Sequence, residues 1–169
     1  MPMLMRFLFL LLVLKVGADG TAQAQNNEFE LKAAFIFTLT KYVDWPAERL
    51  PEGAPLQVCF PGGTSPLATA IQPLAGRAVR GHLLEISTSV AGAAQRACHV
   101  LINPPLHAKA PPVPGQLTLS ERAGAASEGF HIELFLEGNR VNFEVNLTAA
   151  RQADLQLSAQ LLKVARQVR

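Results

Sequence analysis

An alternating stretch at residues 130–145 constrains the fold of this chain most. Apolar side chains occupy every second position on both sides of Gly138–Asn139: Phe130, Ile132, Leu134, Leu136, Val141, Phe143 and Val145. Alternation with this period puts one set of side chains on each face of a strand, and glycine with asparagine is typical of a two-residue turn. The stretch predicts a β-hairpin with one buried face, and Glu133, Glu137 and Glu144 are expected on the opposite, solvated face.

Short apolar runs alternate with helical patterns before the hairpin. Strands are predicted at residues 56–60, 83–88, 99–102 and 116–119. Helices are predicted at residues 65–74 and 90–97, with a turn or short helix at residues 122–127. The proline-rich residues 110–114 are expected to be irregular, because proline lacks a backbone donor. Alternation of this kind indicates parallel strands connected by helices.

Two further helices are predicted, one on each side of this unit. The first carries a stripe formed by Leu31, Phe35, Leu39 and Tyr42. It is expected to end at Trp45–Pro46, because a residue before proline avoids the helical region. The last helix carries a stripe formed by Leu157, Leu161, Val164 and Val168. The prediction is therefore an α/β fold with a single mixed β-sheet, flanking helices and a late β-hairpin.

The first 24 residues resemble an export signal. Arg6 precedes an apolar run at residues 7–14, and Ala22-Gln23-Ala24 has the small-x-small pattern of a cleavage site. The run is too short to cross a bilayer, which takes about 20 apolar residues. We therefore expect a signal peptide at residues 1–24, cleavage near Ala24, and one soluble exported domain at residues 25–169.

Composition argues against two classes of protein. Hydrophobic residues make up 49% of the chain, which is enough to bury a core and excludes a disordered protein. The formal net charge is +2 and no run of Lys or Arg occurs, so nucleic acid is not an expected partner.

Signatures of enzymes are mostly absent from the sequence. It contains neither a phosphate-binding loop with its lysine nor a G-x-S-x-G motif. The histidines are scattered, at His82, His99, His107 and His131, without the spacing of a metal site. The sequence therefore predicts a protein that is not an enzyme, with no catalytic, cofactor-binding or metal-binding residues and no cofactor.

Cys59 and Cys98 lie in or beside predicted strands. Strands of one sheet bring such residues within bridging distance, and exported proteins favour disulfides. The sequence predicts a structural Cys59–Cys98 disulfide. Two buried free thiols, or a redox-active pair, are the alternatives.

Three segments together resemble the YfiR-like family. The similar segments are Lys32-Ala33-Ala34-Phe35 with Lys41-Tyr42-Val43-Asp44-Trp45-Pro46, then Cys98-His99-Val100-Leu101-Ile102, and then Asn139-Arg140-Val141-Asn142-Phe143-Glu144-Val145-Asn146-Leu147 with the following Ala149-Ala150, Leu155-Gln156-Leu157-Ser158 and Leu161-Leu162. Their order and spacing hold from about residue 28 to residue 168. The resemblance also implies that Cys59 and Cys98 are bridged, as the matching cysteines are in the namesake.

The resemblance implies a regulatory function. A YfiR-like protein is expected in the periplasm, where it binds and represses the periplasmic domain of an inner-membrane diguanylate cyclase. Lower cyclic di-GMP then restrains biofilm formation. The resemblance further implies an outer-membrane lipoprotein that sequesters the repressor, and a homodimer.

A second hypothesis is a periplasmic module that binds a small ligand. Sheets of this class often open a crevice at the carboxyl ends of their strands. Pro61-Gly62-Gly63-Thr64 follows a predicted strand and would form the lip of that crevice.

Overall fold

The computed structural model describes residues 19–105 and 112–169. The apolar run of the predicted signal peptide and His107 lie outside the described residues, as do residues 110 and 111 of the proline-rich stretch. The helices are α1 (Asp19–Thr40), α2 (Pro66–Ile71), α3 (Leu147–Gln152) and α4 (Ala159–Val164), and short 3-10 helices cover Gln72–Leu74, Gly92–Ala97 and Ala125–Glu128. The strands are β1 (Val43–Asp44), β2 (Leu56–Phe60), β3 (Ala78–Val79), β4 (His82–Thr88), β5 (Val100–Ile102), β6 (Leu117–Ser120), β7 (Ile132–Glu137), β8 (Arg140–Val145), β9 (Gln156–Leu157) and β10 (Gln167–Val168).

Within the described ranges, the strands form one eight-stranded mixed sheet and a small two-stranded sheet. The order across the large sheet is β10-β8-β7-β6-β5-β2-β4-β3. Its central strands β4, β2, β5, β6 and β7 are parallel neighbours in that order. The mixed α/β prediction is confirmed. The second sheet, an antiparallel pair of β1 and β9, is an addition that the sequence does not predict.

The order of the parallel strands reverses at β2. The chain passes from β2 to β4 on one side and then returns to β5 on the other. The point between β2 and β5 is therefore the topological switch of the sheet, where ligands of such folds usually bind.

The predicted hairpin is confirmed as β7 and β8. Leu134 pairs with Phe143, and Glu137 pairs with Arg140. Gly138 has φ +60°, which fits the first central position of a type II′ turn and favours glycine.

Helices α1 and α2 cover one face of the large sheet. Their buried side chains, with those of the strands, form a continuous core that includes Ala33, Ile36, Phe37, Leu67, Ile71, Leu56, Val58, Phe60, Val100, Ile102, Leu117, Leu119, Ile132, Leu134, Phe143 and Val145. Ser65 caps α2, because its Oγ accepts a hydrogen bond from the Ala68 N–H. The predicted stripe of α1 is partly wrong: Leu31 is 38% exposed, because the helix turns its Ala33, Ile36 and Phe37 side toward the sheet.

The predicted last helix is confirmed only in its middle part, and the prediction is wrong at both ends. Only Ala159–Val164 is helical, and Gln156–Leu157 before it and Gln167–Val168 after it are strands. Leu157 pairs with Val43, and Val168 pairs with Val145. Long-range strand pairing thus replaces the ends of the helix that the local period predicts.

Candidate functional site

A disulfide joins Cys59 on β2 to Cys98, two residues before β5. The two Cα atoms are 5.9 Å apart, and both residues are buried. With Leu101 and the half-buried Val90 they form a small apolar cluster, separate from the main core. The bridge therefore ties β2 to the segment that enters β5 at the switch point of the sheet.

His99 links three segments at the amino-terminal edge of the sheet. Its Nδ1 accepts the Gln57 N–H at 3.0 Å, so its Nε2 carries the proton and donates to the Arg49 carbonyl oxygen at 2.8 Å. Burial lowers the pKa of His99, because a charged imidazolium would lose its water. The ring is therefore a neutral structural link.

His131 forms the same kind of link one strand pair further on. Its Nδ1 accepts the Thr118 N–H at 2.9 Å, and it also has a hydrogen bond with the backbone of Ala149. Burial lowers the pKa of His131 to about 4. Each ring immediately precedes a parallel strand and accepts the N–H of the second residue of the neighbouring strand.

The prediction that Glu133 lies on a solvated sheet face is wrong. Its exposed fraction is 7%, because the 3-10 helix at Ala125–Glu128 covers this end of the hairpin. The carboxylate accepts the N–H groups of Gly124 and Ala126 at 3.0 and 3.1 Å. It therefore anchors the 3-10 helix to β7.

Glu144 lies directly opposite Glu133 in the register of the hairpin. Its carboxylate pairs with Arg169 at 2.6 Å, and that of Glu137 pairs with Arg166 at 3.0 Å. The three carboxylates thus have different partners, since Glu133 accepts backbone N–H groups and the other two pair with arginines.

A buried lysine holds α1 against the carboxyl-terminal edge of the sheet. Lys32 Nζ lies 2.5 Å from Glu28 Oε1 and 2.9 Å from Glu121 Oε1. Asn103, which follows β5, donates to Glu121 Oε2 at 2.8 Å and accepts the Glu121 N–H at 2.9 Å. Burial lowers the pKa of Lys32, but the two carboxylates outweigh burial and leave the pKa above its usual value. Sequence reasoning missed this cluster, because Lys32 and Glu121 come together only in the fold.

The predicted lip at residues 61–64 lies beside a groove between α1 and α2. The groove is open, has a volume of about 800 Å³, and is lined by Phe29, Glu30, Ala33, Ala34, Thr64, Ser65, Pro66, Thr69, Ala70, Pro73 and Leu74. Thr64 is the lip residue that lines it. The lining is mainly apolar or small, and Glu30 is its charged member.

A smaller cavity lies at the opposite, amino-terminal edge of β2 and β4. Its volume is about 130 Å³, and it is lined by Thr40, Val43, Asp44, Trp45, Leu50, Leu56, Val79, Arg80 and His82. The buried Nε1 of Trp45 has no hydrogen-bond partner in the described part of the chain. The sequence predicts Trp45 as a packing and helix-stop residue, and no local signal points to the cavity.

Two features are absent from the described residues. Residues 19–105 and 112–169 hold no group of three or more His, Cys, Asp and Glu side chains arranged to bind a metal ion. No helix in those ranges combines the length and the apolar character that a membrane span requires.

Comparison with protein families identifies the family of the chain. The family described as YfiR/HmsC-like matches residues 29–166, which include the disulfide, the Lys32–Glu121 pair and the smaller cavity. No curated protein matches the chain.

Proposed function

Because the chain belongs to the YfiR/HmsC-like family, we propose that it represses an inner-membrane diguanylate cyclase by binding the periplasmic domain of that enzyme. The family suggests a periplasmic regulator of diguanylate cyclase rather than a catalyst. The match over residues 29–166 is the observation that carries the proposal.

The way the protein uses its buried polar groups supports a binding role. His99, His131, Glu133 and Lys32 are all buried. Each of them bonds to protein backbone or to an opposite charge, and so holds strands and helices in place. Their chemistry stabilises a rigid α/β body that can present a surface to a partner.

The disulfide supports a location outside the cytoplasm. Disulfides persist in the oxidising periplasm and are rare in reducing compartments. The Cys59–Cys98 bridge fits the proposed export through residues 1–24. A periplasmic protein can reach only the periplasmic part of a membrane enzyme, so binding must act by shifting the cyclase toward an inactive arrangement.

The proposed partners include an outer-membrane lipoprotein that sequesters the repressor. Sequestration lowers the concentration of repressor that is free to bind the cyclase, so the cyclase returns to its active arrangement. We also propose that the repressor forms a homodimer. Both proposals rest on the family alone.

A deletion strain tests the repression. Loss of the gene should raise cyclic di-GMP and surface attachment, and the full chain supplied in trans should reverse both effects. A version that lacks residues 1–24 should stay inside the cell and fail to reverse them. Unchanged cyclic di-GMP in the deletion strain would refute the proposal.

A binding experiment tests the partner directly. Residues 25–169, purified with the disulfide intact, should capture a diguanylate cyclase from detergent extracts of membranes. The matched control is the same cyclase without its periplasmic domain, which should not be captured. Equal capture of both forms, or of neither, would contradict binding through the periplasmic domain.

A further inference from the structure

The outer edge of β4 is paired along only part of its length. Strand β4 has seven residues, whereas β3 has two, which pair with Leu83 and His82. Before β3 the chain forms a β-bulge, since the Gly76 N–H and the Arg77 carbonyl oxygen both bond to Leu84. Gly76 has φ +78°, which favours glycine at the first position of such a bulge. Among the described residues, β4 therefore has no outer neighbour after Leu84.

The open part of β4 presents unpaired backbone groups. Alternate residues of a strand point their N–H and C=O groups to the same side. Leu84 bonds outward, so the N–H and C=O groups of Ile86 and Thr88 also point outward, away from β2. No described residue bonds to these groups, and Thr88 is exposed while Ile86 is half-buried. The segment from Ile86 to Thr88 is therefore an open edge, with donors and acceptors at its first and third residues.

The sequence of this open edge does not protect it from pairing. Natural proteins usually keep edge strands short, or place charges and proline there. The opposite edge of the sheet follows this rule, because β10 has two residues and lies between Arg166 and Arg169. The open edge of β4 has neither a charge nor a proline, and Ile86 and Thr88 are β-branched residues that favour strands. It therefore suits the addition of another strand.

The spacing of the open groups matches a second copy of the same edge. With a two-fold axis beside Ser87, Ile86 of each copy would face Thr88 of the other in an antiparallel pair. Each such pair exchanges two hydrogen bonds, so every open group of both copies would be bonded. Ser87 would face its counterpart, and Glu85 would face Ser89, so no like charges would lie opposite each other.

Two-fold pairing also leaves no open edge behind. It would join the two eight-stranded sheets into one continuous sheet, whose outer edge strand at the far end of each copy is the short β10. The assembly would therefore stop at two copies. A single strand donated by another protein would bond to the same backbone groups, but it would expose an outer edge of its own. The observations thus favour a second copy as the occupant.

We propose that the chain forms a two-fold homodimer through antiparallel pairing of residues 86–88 of β4. This inference names the surface of the homodimer proposed above, and it rests on that proposal. Repression is measured by cyclic di-GMP in the deletion strain, whereas the interface is measured on the purified protein. The failure of one can therefore be distinguished from the failure of the other.

Sedimentation velocity measures the oligomeric state of residues 25–169, which contain every described strand. At about 0.1 mM the unaltered protein should be a dimer. The amides of Ile86 and Thr88 should then exchange hydrogen at least about tenfold more slowly than in a dilute, monomeric sample. A monomer at the higher concentration would overturn the proposal. A dimer in which both amides exchange rapidly would refute this interface and leave a homodimer through another surface.

Thr88→Pro removes an outward N–H that has no partner among the described residues, so the fold should survive. Circular dichroism checks the fold. The two-fold axis doubles the loss to two hydrogen bonds, so self-association should weaken at least about tenfold. Thr88→Val is the matched control, because it keeps the N–H and the β-branched shape, and it should change self-association less than about threefold. Equal self-association of a folded Thr88→Pro and the control would contradict pairing through this edge.

Opposite charges at Ser87 test the two-fold register. Ser87→Lys and Ser87→Glu should each weaken dimerisation, because like charges would then face each other across the axis. A mixture of the two variants should form a heterodimer, since a lysine then faces a glutamate. A mixture that stays monomeric, although both variants are folded, would show that the register is wrong.

Discussion

The neutral, buried His131 makes the stability of this fold sensitive to acid. In the folded state burial lowers the pKa of His131 to about 4, against 6.5 in an unfolded chain. Between these two values the unfolded state binds more protons than the folded state. Stability is therefore complete above about pH 6.5 and falls as the pH drops toward about 4.

The magnitude follows from the two pKa values of His131. Each unit of difference corresponds to about 1.4 kcal/mol. The complete loss is therefore about 3 kcal/mol, and about 2 kcal/mol of it is lost by pH 5. Below that range the imidazolium would also replace an acceptor with a donor opposite the Thr118 N–H, which repels it.

His131→Asn separates this effect from other acid effects. The asparagine Oδ1 can accept the Thr118 N–H as the histidine Nδ1 does, and the amide does not titrate in this range. The variant loses the hydrogen bond with the backbone of Ala149, so it should be less stable than the unaltered protein at neutral pH. Its stability should nevertheless depend less on pH.

Urea unfolding at about pH 7.5 and about pH 5 measures the difference. The unaltered protein should lose about 2 kcal/mol more between these pH values than the variant does. His99→Asn should reduce the pH dependence in the same direction, because burial lowers the pKa of His99 too. Equal losses in the unaltered protein and in His131→Asn would refute the reasoning.

Three further predictions concern stability, each measured by urea unfolding. Alanine at both cysteines of the disulfide opens a loop with a sequence separation of 39 and should cost about 4 kcal/mol. Lys32→Met leaves two partly exposed carboxylates without their counter-ion and should cost about 2–3 kcal/mol, whereas Lys163→Met, at an exposed position of α4, should cost less than about 0.5 kcal/mol. Gly115→Ala places a Cβ 2.5 Å from Arg49 Cγ at φ +65°, and should cost more than Gly138→Ala, where φ is +60° and nothing lies within 4 Å of the added Cβ.

Each of these predictions can fail in a way that identifies the error. An unchanged free energy of unfolding without the disulfide would mean that the unfolded chain is already compact. Equal effects of Lys32→Met and Lys163→Met would mean that the Lys32 cluster gains no more than its desolvation costs. Equal costs at Gly115 and Gly138 would mean that Arg49 moves aside freely.

The parts of the fold that depend on local patterns could be predicted from the sequence. Strands β2, β4 and β5 and the hairpin were found, because each has an apolar run or an alternation with clear stop signals. The length of the last helix is overestimated by the sequence pattern. The spacing of Leu157, Leu161, Val164 and Val168 fits one long helix, but it fits equally a strand followed by a short helix and a second strand. The pairing partners of the two strands, Val43 and Val145, lie far away in the sequence, so the local pattern could not reveal them.

Polar residues were harder to place than apolar ones. Alternation correctly put Glu133 on the face opposite Leu134, but it could not show that a 3-10 helix covers that end of the face. The cover is possible because the Gly124 and Ala126 N–H groups satisfy the carboxylate. A sequence pattern gives the face of a side chain, and only the fold gives what lies over it.

The general rule for parallel sheets places the candidate ligand site at the carboxyl-terminal edge, and the Lys32 cluster fills part of that edge. At the carboxyl-terminal edge, Glu121 and Asn103 from the ends of β6 and β5 bond to each other, and Lys32 from α1 closes over them. Side chains of the protein thus occupy polar positions that a ligand would otherwise use. At the amino-terminal edge, Trp45 lines the smaller cavity, and its buried Nε1 has no hydrogen-bond partner in the described residues. Which polar groups of an edge are already paired depends on contacts between residues far apart in the sequence, such as Lys32 with Glu121, and a local pattern therefore cannot show it.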